Sequence, residues 1–413
     1  MNCLRKVYCR TYQTAFRIAL PILPYKTPKL LENVDDLPRM LKKQGINRVL
    51  MVTDKSIRNL GITERLEKSL YSAKIRCFVY DDTTANPTTD NVESAVKMYV
   101  KNKCSALIGF GGGSSIDCAK AVGARIAKPK KSLQKMKGIL KVRKKLPLLA
   151  AVPTTAGTGS ETTLAAVITD SRTRHKYPIN DFVLIPKYAV LDPEVTRSLP
   201  KSITATTGMD ALTHAVEAYI GRSTTKGTRA QAIEAVQLIF DNIFKVYENG
   251  NDMEARKNML YASYLAGCAF TKSYVGYVHA VAHTLGGRYN VPHGLANAVL
   301  LPYVLEDYGS SAYKKLHELA VSVGISSFSE SDRVGAEKFI TAIKKMNEKM
   351  NIPKKIKGIK AKDIPRLAKY ADKEGNPLYP VPKLMDDKEL RKFYYKVMAV
   401  SYTHLDVYKR QIL

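Results

Sequence analysis

The sequence predicts two folds in one chain. An α/β domain with a parallel sheet is expected over residues 1–199, and an all-α domain over 200–400. Through the first part, apolar runs of strand length alternate with stretches of helical spacing, which is the pattern of a parallel sheet covered by helices on both faces. Beyond residue 200 the strand-length runs stop and long helical segments follow one another. The third observation is bulk: 413 residues at 45% hydrophobic supply apolar surface for two cores rather than one.

Taken in order, 48–53 (RVLMVT) reads as a strand closed by Asp54, and 75–80 (IRCFVY) as a strand closed by Asp81 and Asp82. Segment 91–102 has helical spacing. SALIGF, 105–110, is a further strand that runs into GGGSSIDCAKAVGARIA, a glycine loop and then a helix. LPLLAAVP, 146–153, precedes the polar loop TTAGTGSE, and 182–193 is expected to close this half with strands. Helices are then expected over 203–220, 229–249, 255–273 and 279–287, and near 294–307, 311–322 and 336–349.

The ends need separate treatment. The first 31 residues lack Asp and Glu and include Arg5, Lys6, Arg10 and Arg17, a composition shared with targeting presequences. Pro21, Pro24 and Pro28, and the lack of a small-residue cleavage signal, place this segment with the mature fold. The closing stretch SYTHLDVYKRQIL, 401–413, reads as a non-native tail and is set aside together with His404.

The net charge is +29, and 128–145 (KPKKSLQKMKGILKVRKK) is its densest stretch. Nucleic-acid binding is the obvious rival reading of such charge. The stretch carries no finger, RNA-binding signature or aromatic interleaving, so a solvated face that steers anions is expected instead. No run of 18 apolar residues exists, so no membrane-spanning helix is expected. Six scattered cysteines without a CxxC pair suit reduced thiols in the cytoplasm.

Gly111, Gly112, Gly113, Ser114 and Ser115 stand where a strand meets a helix N-terminus. Glycine allows close backbone approach, and the exposed N–H groups of the first helical turn favour a diphosphate. Asp117, just inside the helix, is grouped with them. A tight turn without ligand is the competing reading, and the spacing is not GxGxxG. Thr154, Thr155 and Thr158 form a second polar loop after a strand, suited to the amide or ribose of a nicotinamide nucleotide. Both loops belong at the carboxyl ends of a parallel sheet, where such sheets bind ligands. Asp54 can accept from ribose hydroxyls and would repel a 2′-phosphate, which favours NAD over NADP. A turn aspartate is the plain alternative.

Asp210 and His214 lie four apart in a helical segment, so they share a face. His279 and His283 repeat that spacing. His293 follows after Gly286, Gly287 and Pro292. One carboxylate and three imidazoles from Asp210, His214, His279 and His293 suit a divalent transition metal. Fe²⁺ and Zn²⁺ both fit. His283 need not ligate and is expected to relay a proton near the substrate.

Together these blocks resemble the iron-containing, or group III, alcohol dehydrogenase family. GGGSSIDCAK, PTTAGTGSE, GMDALTHAVEAY and HAVAHTLGG…NVPHG occur in the family's order, and the resemblance runs from about residue 8 to 400. DDTTANPT, 81–88, and PVPKLMDDKEL, 380–390, resemble family segments as well. The resemblance implies a dehydroquinate synthase-like fold: an N-terminal nucleotide-binding α/β domain, an all-helical C-terminal domain, and an active site in the cleft between them. It implies Asp210, His214, His279 and His293 as metal ligands and His283 as the non-ligand histidine. Gly112, Gly113 and Ser114 match the pyrophosphate loop, and Thr154, Thr155 and Thr158 the further cofactor contacts. Asp54 matches an acidic position associated with NAD.

The expected activity is NAD(H)-dependent interconversion of small primary alcohols or diols and aldehydes by hydride transfer, in a homodimer or higher homo-oligomer. A glycerol-type dehydrogenase of the same superfamily and a dehydroquinate synthase-type cyclase are the enzymatic rivals. GMDALTHA speaks against the cyclase. A basic scaffold or nucleic-acid-binding protein is the non-enzymatic rival.

Overall fold

A computed structural model describes residues 1–173 and 175–399. The expected tail at 401–413 lies outside the described residues. The described part divides into two compact units. One comprises Thr14–Tyr274; the other comprises Met1–Gln13 and the chain from Val275 onward.

The larger unit is built on a six-stranded sheet. Its strands are β1 (Lys29–Leu31), β2 (Arg48–Val52), β3 (Arg76–Tyr80), β4 (Ala106–Gly111), β6 (Leu148–Pro153) and β9 (Tyr188–Val190), in spatial order β1-β9-β6-β4-β2-β3. Every pairing in it is parallel. A separate small sheet joins β5 (Gly138–Ile139), β8 (Lys176–Asn180) and β7 (Ala165–Thr169).

Strand periodicity explains how the main sheet buries both faces. Val49 and Met51 of β2 join Ala106, Ile108 and Phe110 of β4 in one apolar cluster. Leu50, Val52 and Leu107 belong to the opposite cluster, with Cys118, Ala119 and Val122 of the helix Gly113–Ala127. A Cβ on Gly109 would lie 3.0 Å from Ile116 Cα and 3.1 Å from Ala119 Cβ. This helix therefore rests directly on the strand that feeds it.

Helices Lys201–Ile220, Lys226–Glu248 and Met253–Ser273 belong to the same unit. Pro200 stands immediately before the first of them. A side chain at Gly208 would meet Ile243 at 2.8 Å and Met259 at 3.0 Å, so the glycine lets the other two helices pack close.

The second unit carries helices Tyr277–Tyr289, His293–Tyr308, Tyr313–Ser322, Asp332–Lys349, Ile364–Gly375 and Asp387–Val397. Tyr277 anchors it: its hydroxyl donates to Asn376 Oδ1 at 2.9 Å and accepts from Met385 N at 3.0 Å. Arg5 pairs with both carboxylate oxygens of Asp372, at 2.9 and 2.7 Å.

Several expectations need correction. The strands expected over 182–193 reduce to β9, because Phe182–Leu184 is a 3₁₀ turn begun by Asp181. β1, β7 and β8 were not anticipated. β1 is only three residues long, too short for a period. β7 and β8 flank a turn whose polar residues mask the alternation. In the basic stretch, Lys130, Lys135, Lys137, Lys141, Arg143, Lys144 and Lys145 are exposed, while Leu133, Met136 and Val142 are buried. The charge is a solvated face over an apolar underside.

Gly109→Val is expected to destabilise the larger unit by about 1–3 kcal/mol, because the backbone of Ile116 cannot give way to an added side chain. Denaturant unfolding of the variant beside wild type measures it. Equal midpoints would refute the close strand–helix contact.

Candidate functional site

Three adjacent parallel strands, β2, β4 and β6, end at one edge of the sheet. The turns that leave them carry Asp54, Gly111–Ser115 and Thr154–Thr158. Gly111 pairs with Pro153 in the β4–β6 ladder, and Thr154 N donates back to Gly111 O at 3.0 Å. The glycine and threonine loops thus leave the sheet side by side.

Gly111 has φ +145°, and a Cβ there would fall 2.6 Å from Ser115 Oγ. Only glycine satisfies both constraints. Gly112 caps the helix Gly113–Ala127 without a side-chain partner, and the helix has no acidic residue in its first turn. Its leading N–H groups and positive end therefore suit an anion. Thr155 Oγ1 is buried without a hydrogen-bond partner among the described residues and would lie 3.8 Å from a Cβ on Gly112. An unsatisfied hydroxyl beside an open helix N-terminus fits a polar ligand such as a dinucleotide.

The other predicted cofactor residues have internal partners as well. Ser114 Oγ accepts from Asn86 N at 3.3 Å. Asp54 caps the helix Lys55–Asn59 by accepting from Ile57 N at 3.1 Å, and its second oxygen accepts from Ser115 Oγ at 3.3 Å. Thr158 Oγ1 accepts from Ser160 N at 3.3 Å, and its side chain would lie 3.1 Å from a Cβ on Gly113. Asp117 turns inward. One oxygen accepts from Ser160 Oγ at 2.6 Å and the other from Val167 N at 3.0 Å, so it braces the loop rather than facing a cofactor.

Beneath the two loops lie charges that the sequence reasoning missed. Lys120 and Glu161 are both buried. Burial pulls the Lys120 ammonium down to about 8, against the opposing pull of Asp117 and Glu161. Burial pushes Glu161 up to about 7, with Lys120 opposing. Asp117 is raised by the same desolvation.

Asp210 and His214 lie one turn apart on the helix Lys201–Ile220, at 1% and 4% exposure. The His214 ring stacks on Phe270, with centroids 4.2 Å apart, which fixes its plane. In the helix pair Tyr277–Tyr289 and His293–Tyr308, the rings of His279 and His293 are 5.3 Å apart. Buried Asn297 places its amide nitrogen 3.1 Å from Nε2 of both. That amide lies between the two rings and ties both to the helix His293–Tyr308. Asn297 lies one turn after His293, the one signal that could have found it. Asp210, His214, His279 and His293 each offer one ligand atom, and these atoms all lie within 4.8 Å of one another. A mixed nitrogen and carboxylate set of this kind fits Fe²⁺ or Zn²⁺.

His283 is not among the four, although its ring stacks on His293 with centroids 5.2 Å apart. Its Nδ1 is 2.6 Å from Glu374 Oε1, and that oxygen also accepts from Tyr379 OH at 2.7 Å. Neither Glu374 nor Tyr379 was anticipated, because nothing in their local pattern distinguishes them from solvated residues.

Ionisation of Glu161 must weaken the fold. Its pKa is raised in the folded state, so the unfolded chain gives up the proton first, and stability falls as pH rises from about 4.5 to about 7. The groups facing it are Lys120 and, from the helix Met253–Ser273, Tyr264 and Cys268. Glu161→Gln should gain up to ~3 kcal/mol relative to wild type across that window. Melting temperatures of both proteins between pH 5 and 7.5 test this; a constant difference would contradict it.

Comparison with known proteins agrees with this chemistry. The family model for iron-containing alcohol dehydrogenase matches residues 31–193. That for the C-terminal part of the Fe-containing alcohol dehydrogenase family matches 204–398. A 1,3-propanediol dehydrogenase of Citrobacter freundii is 36% identical over 92% of this chain and 98% of the relative. An NAD-dependent methanol dehydrogenase of Bacillus methanolicus is 36% identical over 82% of this chain and 89% of the relative. The crystal structure of a 1,3-propanediol oxidoreductase superposes with a TM-score of 0.87 at 34% identity, covering 91% of this chain and 99% of that one.

Proposed function

The chain belongs to the iron-containing alcohol dehydrogenase family, and on that premise we propose that Asp210, His214, His279 and His293 hold its divalent ion, with NAD(H) at the glycine and threonine loops. The protein is an NAD(H)-dependent oxidoreductase that interconverts small primary alcohols or diols and aldehydes. The observation that carries the site assignment is the convergence of the four ligand atoms within 4.8 Å of one another, three of them on buried residues.

When bound, the ion supplies Lewis-acid polarisation of the substrate oxygen, and the nicotinamide supplies the hydride acceptor or donor. The protein's part is placement and proton traffic. The open N-terminus of the helix Gly113–Ala127 receives the diphosphate, and Thr154, Thr155 and Thr158 face the nicotinamide half. Asp54 stands at the end of β2, where it accepts from ribose hydroxyls. Asn297 keeps His279 and His293 aligned. His283, oriented through Nδ1 by Glu374, takes up the hydroxyl proton at Nε2 in oxidation and returns it in reduction. Its side chain is partly exposed, so it can exchange that proton with solvent.

All six cysteines are free, which suits a reducing cytoplasm. No described helix is long and apolar enough to cross a membrane. A homodimer or higher homo-oligomer fits the family resemblance. The exposed lysines of 128–145 favour attraction of an anionic cofactor over a nucleic-acid role, because the stretch itself carries no aromatic residue on which a base could stack.

Metal removal and restoration test the assignment. Stripped protein reloaded anaerobically with Fe²⁺ or Zn²⁺ should reduce NAD with 1,3-propanediol or butanol. His279→Ala should keep its fold, lose more than ~10-fold in metal affinity, and lose turnover with it. Turnover that survives complete removal of divalent ions would overturn the metal assignment. Salt-sensitive DNA binding without any nicotinamide turnover would favour the scaffold reading.

A further inference from the structure

We propose that Lys120 is a positioning residue for the cofactor: from beneath the glycine loop it fastens the helix that begins there to the threonine loop, so that the two halves of a dinucleotide meet surfaces held in register. This rests on the reading of both loops as the NAD(H) site.

The geometry is specific. Lys120 lies about two turns into the helix Gly113–Ala127 and has no exposed surface. Its Nζ donates to Thr163 Oγ1 at 2.7 Å, Ala165 O at 2.8 Å, Thr163 O at 2.9 Å and Ser160 Oγ at 3.3 Å. Every one of these acceptors belongs to 160–165, the continuation of the threonine loop. Ser160 Oγ then donates to Asp117, three residues before Lys120 on the same helix, at 2.6 Å. The link therefore closes on itself: helix to loop through the ammonium, and loop back to helix through the carboxylate.

A buried ammonium is a costly way to fill space, and an apolar side chain of similar length would fill it more cheaply. What the ammonium adds is direction. Two of its acceptors are backbone carbonyls, which reach it only when the 160–165 backbone is in place. Removing the charge frees that backbone from the helix.

The loop has little slack elsewhere. A Cβ on Gly159 would lie 2.8 Å from Gly267 Cα, and one on Gly113 would lie 3.1 Å from Thr158. A small release beneath the loop must therefore appear at its upper surface, beside the glycine loop. Lys120 itself touches neither loop's ligand-facing atoms, so its effect on the cofactor is transmitted through position alone.

The test compares two ligands on the full-length protein. ADP ends at the diphosphate and needs only Asp54 and the glycine loop; NADH spans both loops. In Lys120→Met, the dissociation constant for NADH, read by fluorescence, should rise ~10-fold, while that for ADP stays within ~2-fold of wild type. The KM for NAD should rise with it, with kcat altered less than ~3-fold. Ser160→Ala removes one acceptor of Lys120 and the return link to Asp117, leaves the other three acceptors of Lys120 in place, and should show the same split more weakly. It keeps the test open if Lys120→Met fails to fold. NADH affinity unchanged in a folded variant overturns the proposal, and so does equal weakening of ADP and NADH, which would mean a general loss of structure. Wild-type protein that binds neither ligand would instead overturn the reading of the loops on which the proposal rests.

Discussion

Parallel pairing of β2, β4 and β6 is the constraint on which the cofactor half of this protein depends. Parallel strands must all start at one edge and end at the other, so their outgoing turns are forced into one neighbourhood. Asp54, the glycine loop and the threonine loop lie some 40 to 60 residues apart along the chain, yet the ladder sets them side by side. The same arrangement explains the glycines. Where a helix doubles back on the strand that feeds it, the backbone has no room for side chains at Gly109 and Gly111.

Two economies of charge are visible. Over the surface, cation excess is left in solvent, where it costs little and attracts anions. Inside, the charges on the inner face of the helix Gly113–Ala127 are engaged. Lys120 and Asp117 are satisfied by one small segment of backbone and hydroxyls. Asp210, His214, His279 and His293 bring their candidate ligand atoms within 4.8 Å of one another, an arrangement that suits a cation. The structure thus uses the same rule twice. A buried charge is tolerated where it holds something that must not move.

Much of this was legible beforehand, for identifiable reasons. Candidate metal ligands are chemically rare residues at helical spacing, so Asp210, His214 and His279 stand out as the proposed donors, and the glycine–proline turn before His293 suggests the return. Glycine and threonine loops announce themselves by composition. Asp117 shows where such reading falters. A carboxylate next to a phosphate loop looks like part of the site, but its position on the inner helix face turned it towards Ser160 and Val167. Glu374 and Tyr379 carried no local mark at all, because their roles consist only of whom they touch. Short β1 and the small sheet of β7 and β8 escaped for a related reason: three to five residues hold too little periodicity to be told from a loop.

The sequence by itself determined the chemistry available: a divalent-metal donor set, an anion-ready helix start, a large apolar allowance for two cores, and an excess of positive charge. Residue type and spacing are enough for that, since ligand affinity, helical phase and turn geometry are local properties. Tertiary structure alone decided the partnerships. It chose which carboxylate braces and which can bind, which amide aligns two imidazoles, and which lysine is taken out of water to tie a loop to a helix. Those choices depend on distances between segments far apart in the chain, and no local pattern encodes a distance.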